Sequence, residues 1–319
     1  MLKLSNTSNI LHYFTKVFTN VKRYKMEQAS MIEFVKKCIP TLDDKKHKGQ
    51  AGRIGIVGGS MEYTGAPYFA GISALKVGAD LVHIFCTSSA AIVIKSYSPE
   101  LIVHPLLDKD NAIVTVSPWL DRLHAVVIGP GLGREPNIFD VVAELIKIIE
   151  DKKIPLVIDA DGLFLISNKP ELLKNFSSPV ILTPNKIEYD RLCNSIGEFN
   201  QQGSNIVILR KGCMDELYSS EIEVQWKFNL GGSGRRCGGQ GDLLSGSIAT
   251  FLHWMLENIN AIDIQKEHKN LTAVSLSCFA ASILIRKCNE KTYKIKGRSM
   301  LASDMIDHLH EAFEELFGK

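Results

Sequence analysis

The sequence of 319 residues lacks several patterns that would assign it directly to a functional class. Its seven cysteines are odd in number and include no CxxC pair, which argues against a disulfide framework or a structural zinc site and favours a reducing compartment. The nine histidines form no HExxH motif. No run approaches the roughly 18 to 20 apolar residues of a membrane helix, and the net charge of +2 gives no nucleic-acid footprint. The sequence therefore predicts neither a membrane partner nor a nucleic-acid partner.

Two common nucleotide-binding motifs are also missing. No GxxxxGK[ST] segment occurs, which excludes a P-loop, and none of the glycine-rich segments keeps the GxGxxG spacing of a dinucleotide-binding turn. The second predicted strand ends in Ile84, Phe85, Cys86 and Thr87, so it offers no carboxylate for a ribose hydroxyl, and Asp80 lies at its opposite end. A nicotinamide dehydrogenase is therefore disfavoured.

Short apolar runs alternate with helical patterns from about residue 50 onward. Several runs, such as AVVIGP and PLVIDAD, are continuously apolar, which is typical of strands buried on both faces of a parallel sheet. The predicted strands are Arg53–Val57, Leu81–Cys86, Leu101–His104, Ala125–Ile128, Leu156–Asp159, Val180–Thr183 and Ile206–Leu209. The predicted helices are Ala66–Val77, Ile138–Ile149, Lys186–Cys193, Asp242–Glu257, Leu271–Arg286 and Ser303–Leu316. With a polar hairpin over Asp215–Phe228, this predicts an α/β fold: a doubly wound, mainly parallel sheet with helices on both faces.

The first residues differ in composition from the rest of the chain. Residues 1–26 contain no acidic residue, and their apolar side chains recur at helical spacing; their five basic residues are Lys3, Lys16, Lys22, Arg23 and Lys25. This pattern is typical of an amphipathic transit peptide, and a disordered leader is the alternative. We therefore predict a leader over residues 1–30 and a single domain over residues 31–319.

The residues that close the predicted strands are rich in glycine and acids. The relevant segments are GIVGGS (Gly55–Ser60), GPGLGR (Gly129–Arg134), DADG (Asp159–Gly162), TPNKIEYDR (Thr183–Arg191) and RKGCMD (Arg210–Asp215). A further segment, GGSGRRCGGQGDLLSG (Gly231–Gly246), opens a predicted helix. Ligands of open α/β sheets bind beyond the carboxyl ends of the strands, so these segments predict one site at that edge.

The GGQGD turn is the strongest single signal in the sequence. Backbone N–H groups of a glycine turn at a helix N-terminus bind phosphate oxygens, and a carboxylate at Asp242 can take the proton of a hydroxyl that attacks a γ-phosphorus. Plain helix capping by Asp242 is the alternative.

Three other pairs have two interpretations each. Asn185 and Glu188 would share a helix face and could hold a hydrated Mg²⁺, or form an ordinary first turn. Lys211 and Asp215 frame a glycine turn that could hold adenosine, or a hairpin loop. Arg235 and Arg236 could clamp phosphate, or be solvated charges.

Six segments in this order resemble the eukaryotic ATP-dependent (S)-NAD(P)H-hydrate dehydratases over about residues 30–310. They are HKGQAGRIGIVGGSMEYTGAPYFAGISALKVGADL, YSPELIVHP, GPGLGR, LVIDADGL, LTPNKIEYDRL and GGSGRRCGGQGDLLSG. The resemblance implies a ribokinase-like fold, with ATP as cosubstrate, Mg²⁺ as cofactor and hydrated NADH or NADPH as substrate. ATP-driven dehydration of the S epimer, with release of ADP and phosphate, would make the enzyme a hydro-lyase.

The same resemblance implies the site residues. The catalytic base is Asp242. The metal role assigned to Glu188, acting through water, comes from its spacing with Asn185 and not from the resemblance. The hydrated dinucleotide would contact Gly131, Asn185, Lys186, Ile187, Glu188, Tyr189, Asp190, Arg191 and Asp242. ATP would contact Lys211, Gly212, Cys213, Met214, Asp215, Gly232, Ser233, Gly234, Arg235, Arg236, Cys237, Gly238, Gly239, Gln240 and Gly241.

Localisation and competing functions remain open at this stage. Relatives of this kind are often sent to mitochondria, with a cytosolic form from a downstream start, which Met26 or Met31 could supply here. The sequence does not fix the oligomeric state, and a homo-oligomer is compatible with it. The alternatives are a ribokinase-fold kinase of a small alcohol such as a vitamin precursor and a nucleotide sensor without turnover.

Overall fold

The computed structural model describes residues 27–45, 47–174, 176–196, 205–219 and 225–318. Within this part of the chain, nine strands form one sheet in the order β3-β2-β1-β4-β5-β6-β7-β8-β9. The strands are β1 (Arg53–Val57), β2 (Leu81–Cys86), β3 (Ile102–Pro105), β4 (Ala125–Ile128), β5 (Leu156–Ile158), β6 (Val180–Leu182), β7 (Ile206–Arg210), β8 (Asp215–Tyr218) and β9 (Trp226–Phe228). Strands β1 to β7 are parallel, whereas β8 and β9 are antiparallel, so the predicted mainly parallel sheet and its terminal hairpin are confirmed.

Both faces of the sheet are buried, as the continuous apolar runs predict. In β4, Ala125 and Val127 belong to one hydrophobic core, whereas Val126 and Ile128 belong to the other. The same alternation recurs along the parallel strands, because successive side chains of a strand point to opposite faces. The sheet is therefore doubly wound.

Helices cover both faces. They are α1 (Gln28–Cys38), α2 (Gly65–Val77), α3 (Ser88–Tyr97), α4 (Ala112–Leu120), α5 (Pro136–Asp151), α6 (Ala160–Asn168), α7 (Lys186–Ile196), α8 (Gln240–Asn258), α9 (Lys269–Lys296), α10 (Ala302–Ile306) and α11 (Leu309–Phe317). The predicted list omits α1, α3, α4 and α6. These are short helices, and α4 contains Pro118, a helix-breaking signal.

The single helix predicted over Ser303–Leu316 is wrong, because the structure divides it into α10 and α11. At the junction the His308 N–H bonds to the Met305 carbonyl, a tighter turn than the α-helical one. Of the leader predicted over residues 1–30, residues 1–26 lie outside the described residues. Helix α1 begins at Gln28, so the last residues of that predicted leader belong to a helix of the fold.

One long helix within the described residues passes a simple test for a membrane span. The region Lys266–Ser299, which contains α9, has an apolar window with a mean hydropathy of 1.5, but 89% of that window is buried inside the fold. Packing in the protein core therefore accounts for its apolar composition.

The order of the strands places the site. The chain runs from β1 through β2 to β3 at one edge and then returns to pair β4 with the other side of β1. The loops that follow β1, β4, β5, β6 and β7 therefore meet at the carboxyl edge of the sheet.

Candidate active site

A glycine turn opens helix α8 at this edge. Gly239 has a φ of +93°, and a Cβ there would lie 2.6 Å from the Cβ of Ala302 and 2.8 Å from the Phe69 ring, so only glycine fits. The first helical bond of α8 runs from the Leu243 N–H to the Gly239 carbonyl. The backbone N–H groups that precede Leu243 in this turn have no carbonyl partner within the helix. Such groups at a helix N-terminus can bind an anion.

Asp242 lies in the first turn of α8, three residues after the N-cap Gly239. It is half-buried, and burial together with the nearby Asp159 carboxylate raises its pKa to about 7, although Lys211 opposes this. The N-cap position itself belongs to a glycine. Asp242 is thus a carboxylate with the proton affinity of a base that works near neutral pH.

Lys211 stands between several carboxylates. Its Nζ donates a hydrogen bond of 2.7 Å to Oδ1 of Asp159, a side chain that is 3% exposed. Burial lowers the pKa of Lys211, but Asp159, Glu188 and Asp242 outweigh that effect and raise it. The Lys211 ammonium is therefore charged, and it lies close to the carboxylates of Asp159, Glu188 and Asp242.

A cavity of about 410 Å³ adjoins these groups. Eleven of the sequence-predicted site residues line it: Asn185, Lys211, Gly212, Asp215, Gly232, Arg236, Cys237, Gly238, Gly239, Gln240 and Gly241. Leu244, Ser282, Ile285, Arg286 and Asn289 complete the wall. Basic and glycine-rich on one side and apolar on the other, the cavity suits a nucleotide whose phosphates point to the start of α8.

Helix α9 holds the loops of this cavity together. Arg286 forms a bidentate pair with Asp215, with Nε to Oδ2 and Nη2 to Oδ1 both at 2.7 Å. The same guanidinium donates to the carbonyls of Gly212 (2.7 Å) and Gly231 (2.9 Å). One turn further, Oδ1 of Asn289 accepts the Ser233 N–H at 2.6 Å. The turn after β7 and the glycine-rich loop are therefore tied to one helix.

Comparisons with known proteins agree with this geometry. Residues 54–311 match the Carb_kinase family model, described as NAD(P)H-hydrate dehydratase. The chain belongs to the NAD(P)H-hydrate dehydratase family. A protein of Aedes aegypti named ATP-dependent (S)-NAD(P)H-hydrate dehydratase is 51% identical over 91% of this chain and 86% of its own length. The human protein of the same name is 44% identical over the same shares of the two chains.

Solved structures support the ribokinase-like fold of this family member. A ribokinase-like superfamily protein of Enterococcus faecalis superposes with a TM-score of 0.69 at 18% identity, covering 94% of this chain and 99% of its own. The ADP/ATP-dependent NAD(P)H-hydrate dehydratase of Bacillus subtilis, co-crystallised with ATP and Mg²⁺, gives a TM-score of 0.62 at 20% identity. It covers 93% of this chain and 99% of its own. The predicted fold class is confirmed.

The segment predicted to contact the dehydratase substrate has a mixed environment. Asn185 and Glu188 form a reciprocal capping box at the start of α7: the Asn185 N–H donates to Oε2 of Glu188 at 2.8 Å, and the Glu188 N–H donates to Oδ1 of Asn185 at 3.0 Å. Burial raises the pKa of Glu188, and Lys211 opposes this. The hydrogen bonds of Asn185 and Glu188 are thus those of an ordinary first helical turn, which is one of the two interpretations of this pair.

The rest of that segment spreads away from the cavity. Lys186, Ile187 and Asp190 are exposed, whereas the Tyr189 ring stacks on Tyr218 at 5.7 Å. The Arg191 guanidinium lies 5.2 Å from the Phe164 ring. Tyr189 and Arg191 therefore pack against their neighbours in the fold.

Gly131 follows β4 at the point where the strand order reverses. It has a φ of +61°, and a Cβ there would lie 2.4 Å from the Tyr63 carbonyl. Its carbonyl accepts the Gly59 N–H at 3.1 Å. The loops after β1 and β4 are joined at this glycine.

The remaining residues of the predicted ATP set lie in the two loops that α9 holds. The Cys213 carbonyl accepts from Arg286 at 3.4 Å, and Met214 lies beside it in the turn before β8. In the glycine-rich loop, Gly234 follows Ser233, and the Arg235 and Arg236 side chains donate to the carbonyls of Arg236 (2.8 Å) and Ser233 (3.3 Å). Both arginines thus brace the loop.

The sequence-based assignment lacks the three residues whose side chains hold the site together by hydrogen bonds: Asp159, Arg286 and Asn289. Asp159 appears there only within the DADG strand end, and Arg286 and Asn289 lie more than 40 residues beyond the glycine-rich loop, on a helix with no motif. A buried acid directly after a strand was the available signal for Asp159. Nothing local in the sequence points to Arg286 or Asn289.

Proposed function

We propose that this chain catalyses the ATP-dependent dehydration of the S epimer of hydrated NADH or NADPH, releasing ADP and phosphate. The observation that carries the proposal is the position of Asp242, a carboxylate with a pKa of about 7 at the anion-binding start of α8, in a chain of this family. The activity is that of a hydro-lyase with ATP as cosubstrate. Relatives 44–51% identical carry this name, and a simple kinase of a small alcohol is not favoured.

The chemistry divides one difficult elimination into two easier steps. Asp242 accepts the proton of the hydroxyl on carbon 6, the oxygen attacks the γ-phosphorus of ATP, and ADP leaves. The phosphate ester then breaks at its carbon–oxygen bond with electron donation from the ring nitrogen. Loss of a proton from carbon 5 restores the double bond. Water is a poor leaving group and phosphate a good one, so ATP supplies the driving force.

In this proposal the protein groups stabilise the negative charge of the transferring phosphoryl group and position the nucleotide. The N–H groups at the start of α8 and the Lys211 ammonium lie where negative charge accumulates on the transferring phosphoryl group. The two loops held by Arg286 enclose the nucleotide.

We also propose Mg²⁺ as the cofactor. Among the described residues no group of three or more His, Cys, Asp or Glu could hold a metal ion. This fits an ion that retains several waters and binds chiefly to nucleotide phosphates. Glu188 is the protein group that would orient a metal-bound water, and the bound ion would neutralise charge on the β- and γ-phosphates.

A coupled assay tests the proposed function. Purified protein is mixed with ATP and either hydrated NADH or hydrated NADPH, and the reduced-nicotinamide absorbance is followed together with ADP and free phosphate. We expect all three to rise in step and only when the hydrate is present. A stable phosphoester in place of free phosphate would identify a kinase, and ATP binding without turnover would identify a sensor.

We further propose that residues 1–26 address the protein to mitochondria and that a shorter form starting at Met26 remains in the cytoplasm. The proposal rests on the five basic residues, the absence of acids and the helical spacing of apolar residues in this segment.

A further inference from the structure

Asp159 occupies a turn whose backbone is tightly constrained. It closes β5, is 2% exposed, and is followed by Ala160 in the left-handed region with a φ of 46°. A Cβ on Gly129 would lie 1.8 Å from the Asp159 carbonyl oxygen, so the two loops touch backbone to backbone. A strained, closely packed turn of this kind is common where the direction of a side chain matters.

The side chain held by this turn reaches Lys211, which follows β7. The Lys211 N–H bonds to the Pro184 carbonyl at 2.8 Å, and its Nζ bonds to Asp159 at 2.7 Å. The Lys211 side chain is 20% exposed, and it lines the 410 Å³ cavity. The pair thus has one buried member and one member that faces the nucleotide space.

The pair lies against the first turn of α8. A Cβ on Gly241, the residue before Asp242, would be 3.2 Å from Nζ of Lys211 and 3.7 Å from Oδ2 of Asp159. The charged groups that act on Asp242 are Asp159 directly after β5, Asp161 in the first turn of α6 and Lys211 in the turn after β7. Glu188 at the start of α7 interacts with Lys211. The single Lys211 ammonium therefore interacts with the carboxylates of Asp159, Glu188 and Asp242 in a poorly solvated space.

We propose that Asp159 and Lys211 are paired positioning residues with opposite electrostatic effects on Asp242, and that Asp159 holds the Lys211 ammonium where the phosphoryl oxygens of ATP enter. The inference rests on the proposed function and adds Asp159 to its machinery. Without Asp159, the positive charge of Lys211 would be compensated less and would stabilise the Asp242 carboxylate more strongly. Asp242 would then be a weaker base. Without Lys211, the Asp159 and Asp242 carboxylates would repel each other unscreened.

A purely structural ion pair would behave differently. Its removal would lower the melting temperature and reduce the amount of folded enzyme, but the surviving enzyme would keep the pH dependence of the wild type. The pH profile of kcat/KM therefore separates the two roles. Ionisation of the ATP phosphates is common to all variants, so the shift between variants reports on the protein.

The experiment compares Asp159→Asn, Lys211→Met and Lys211→Arg with Asp140→Asn, a control that removes a surface carboxylate paired with Lys169. The wild-type rate should rise with a midpoint near 7, because Asp242 must lose its proton. We expect the midpoint to fall by about one pH unit in Asp159→Asn and to rise by about one in Lys211→Met. Lys211→Arg should return it towards the wild type, and Asp140→Asn should leave it unchanged.

Shifts in the same direction, or none, in folded variants would overturn the inference. If Asp159→Asn does not fold, the contrast between Lys211→Met and Lys211→Arg decides alone, because only the former removes the charge. A wild-type protein that fails to convert the hydrate would refute the proposed function instead. For that case, ATP binding to Asp159→Asn and to the wild type still tests whether Asp159 positions Lys211, with about tenfold weaker binding expected in the variant.

Discussion

At the scale of single residues, Asp242 shows why position in a helix does not decide the role of a carboxylate. An acid in the first turn of a helix is normally favoured in its charged form by the helix dipole. Here burial and the Asp159 carboxylate outweigh that effect and raise the pKa to about 7. The N-cap itself is Gly239. The GGQGD motif alone is compatible with a structural first-turn role and with a role as base. Burial and the neighbouring Asp159 carboxylate favour the base.

Replacing Asp242 by Asn tests that role. We expect Asp242→Asn to bind ATP as the wild type does, because the glycine turn and Lys211 remain. Turnover should fall by roughly 10² to 10⁴, the usual contribution of a positioned base. Steady-state kinetics with hydrated NADH, alongside ATP titration by calorimetry, measures both. Turnover near that of the wild type would reassign Asp242 to a structural role in the first turn.

Glu188 has a structural role and a proposed metal role, and two substitutions separate them. Gln can keep the capping box with Asn185 but loses the charge, whereas Ala loses both. We expect only Glu188→Ala to destabilise the fold, by about 1 kcal/mol. Both variants should require more Mg²⁺ for half-maximal turnover. If Glu188→Gln has the Mg²⁺ titration of the wild type, capping is its whole contribution.

At the scale of elements, helix α9 orders loops that the local sequence cannot order. Glycines dominate the loop after Gly231, and glycine loses more backbone entropy on ordering than any other residue. Arg286 and Asn289 offset that cost through bonds to the Gly231 carbonyl and the Ser233 N–H. A long core helix is thus also part of the cavity that we propose for the nucleotide.

We therefore expect Arg286→Lys to raise the KM for ATP about tenfold, because Lys keeps a charge for Asp215 but lacks the fork that reaches Gly212 and Gly231. The kcat should change less, since Asp242 and Lys211 are untouched. Arg298→Lys, at an exposed position just beyond α9, is the matched control. Equal KM values in the two variants would show that Arg286 does not order the loop.

The strands and the loops at their carboxyl ends differ in how well the sequence predicts them. Continuous apolar runs predicted seven parallel strands because burial on both faces leaves a direct mark on composition. The glycine-rich segments predicted the edge where the cavity lies, because close approach to phosphate demands glycine. Arg286 and Asn289 act through contacts between segments distant in the chain, and such contacts leave no local pattern. For Asp159 the sequence shows an acid at the end of a strand but not its bond to Lys211.

At the scale of the whole molecule, helix α1 is the first described element of the chain and packs into one of the two hydrophobic cores. Met31, Val35 and Cys38 of this helix are fully buried, and the helix packs on α8 and α9. The helix begins at Gln28 with Glu27 as its N-cap, two residues after Met26. Of the two downstream methionines, Met26 precedes the helix and Met31 lies inside it.

This arrangement predicts different consequences for the two starts. A chain beginning at Met26 keeps the whole of α1, so we expect its melting temperature and turnover to match those of the full chain. A chain beginning at Met31 loses the first turn of α1 and places a charged amino group at a buried position. Burial of an unpaired charge of this kind should lower the melting temperature by roughly 2 to 10 °C.

The same boundary allows the targeting proposal to be tested without affecting the fold. A fluorescent reporter that carries residues 1–26 should enter mitochondria, because a basic, acid-free amphipathic segment suits the import machinery. The same reporter fused to residues 27–319, without the leader, should remain in the cytoplasm. Replacing the five basic residues of the leader by Gln should abolish import while preserving its apolar spacing. If the unaltered leader leaves the reporter in the cytoplasm, the segment is not an address, and a melting temperature lowered by its deletion would show that it packs on the domain.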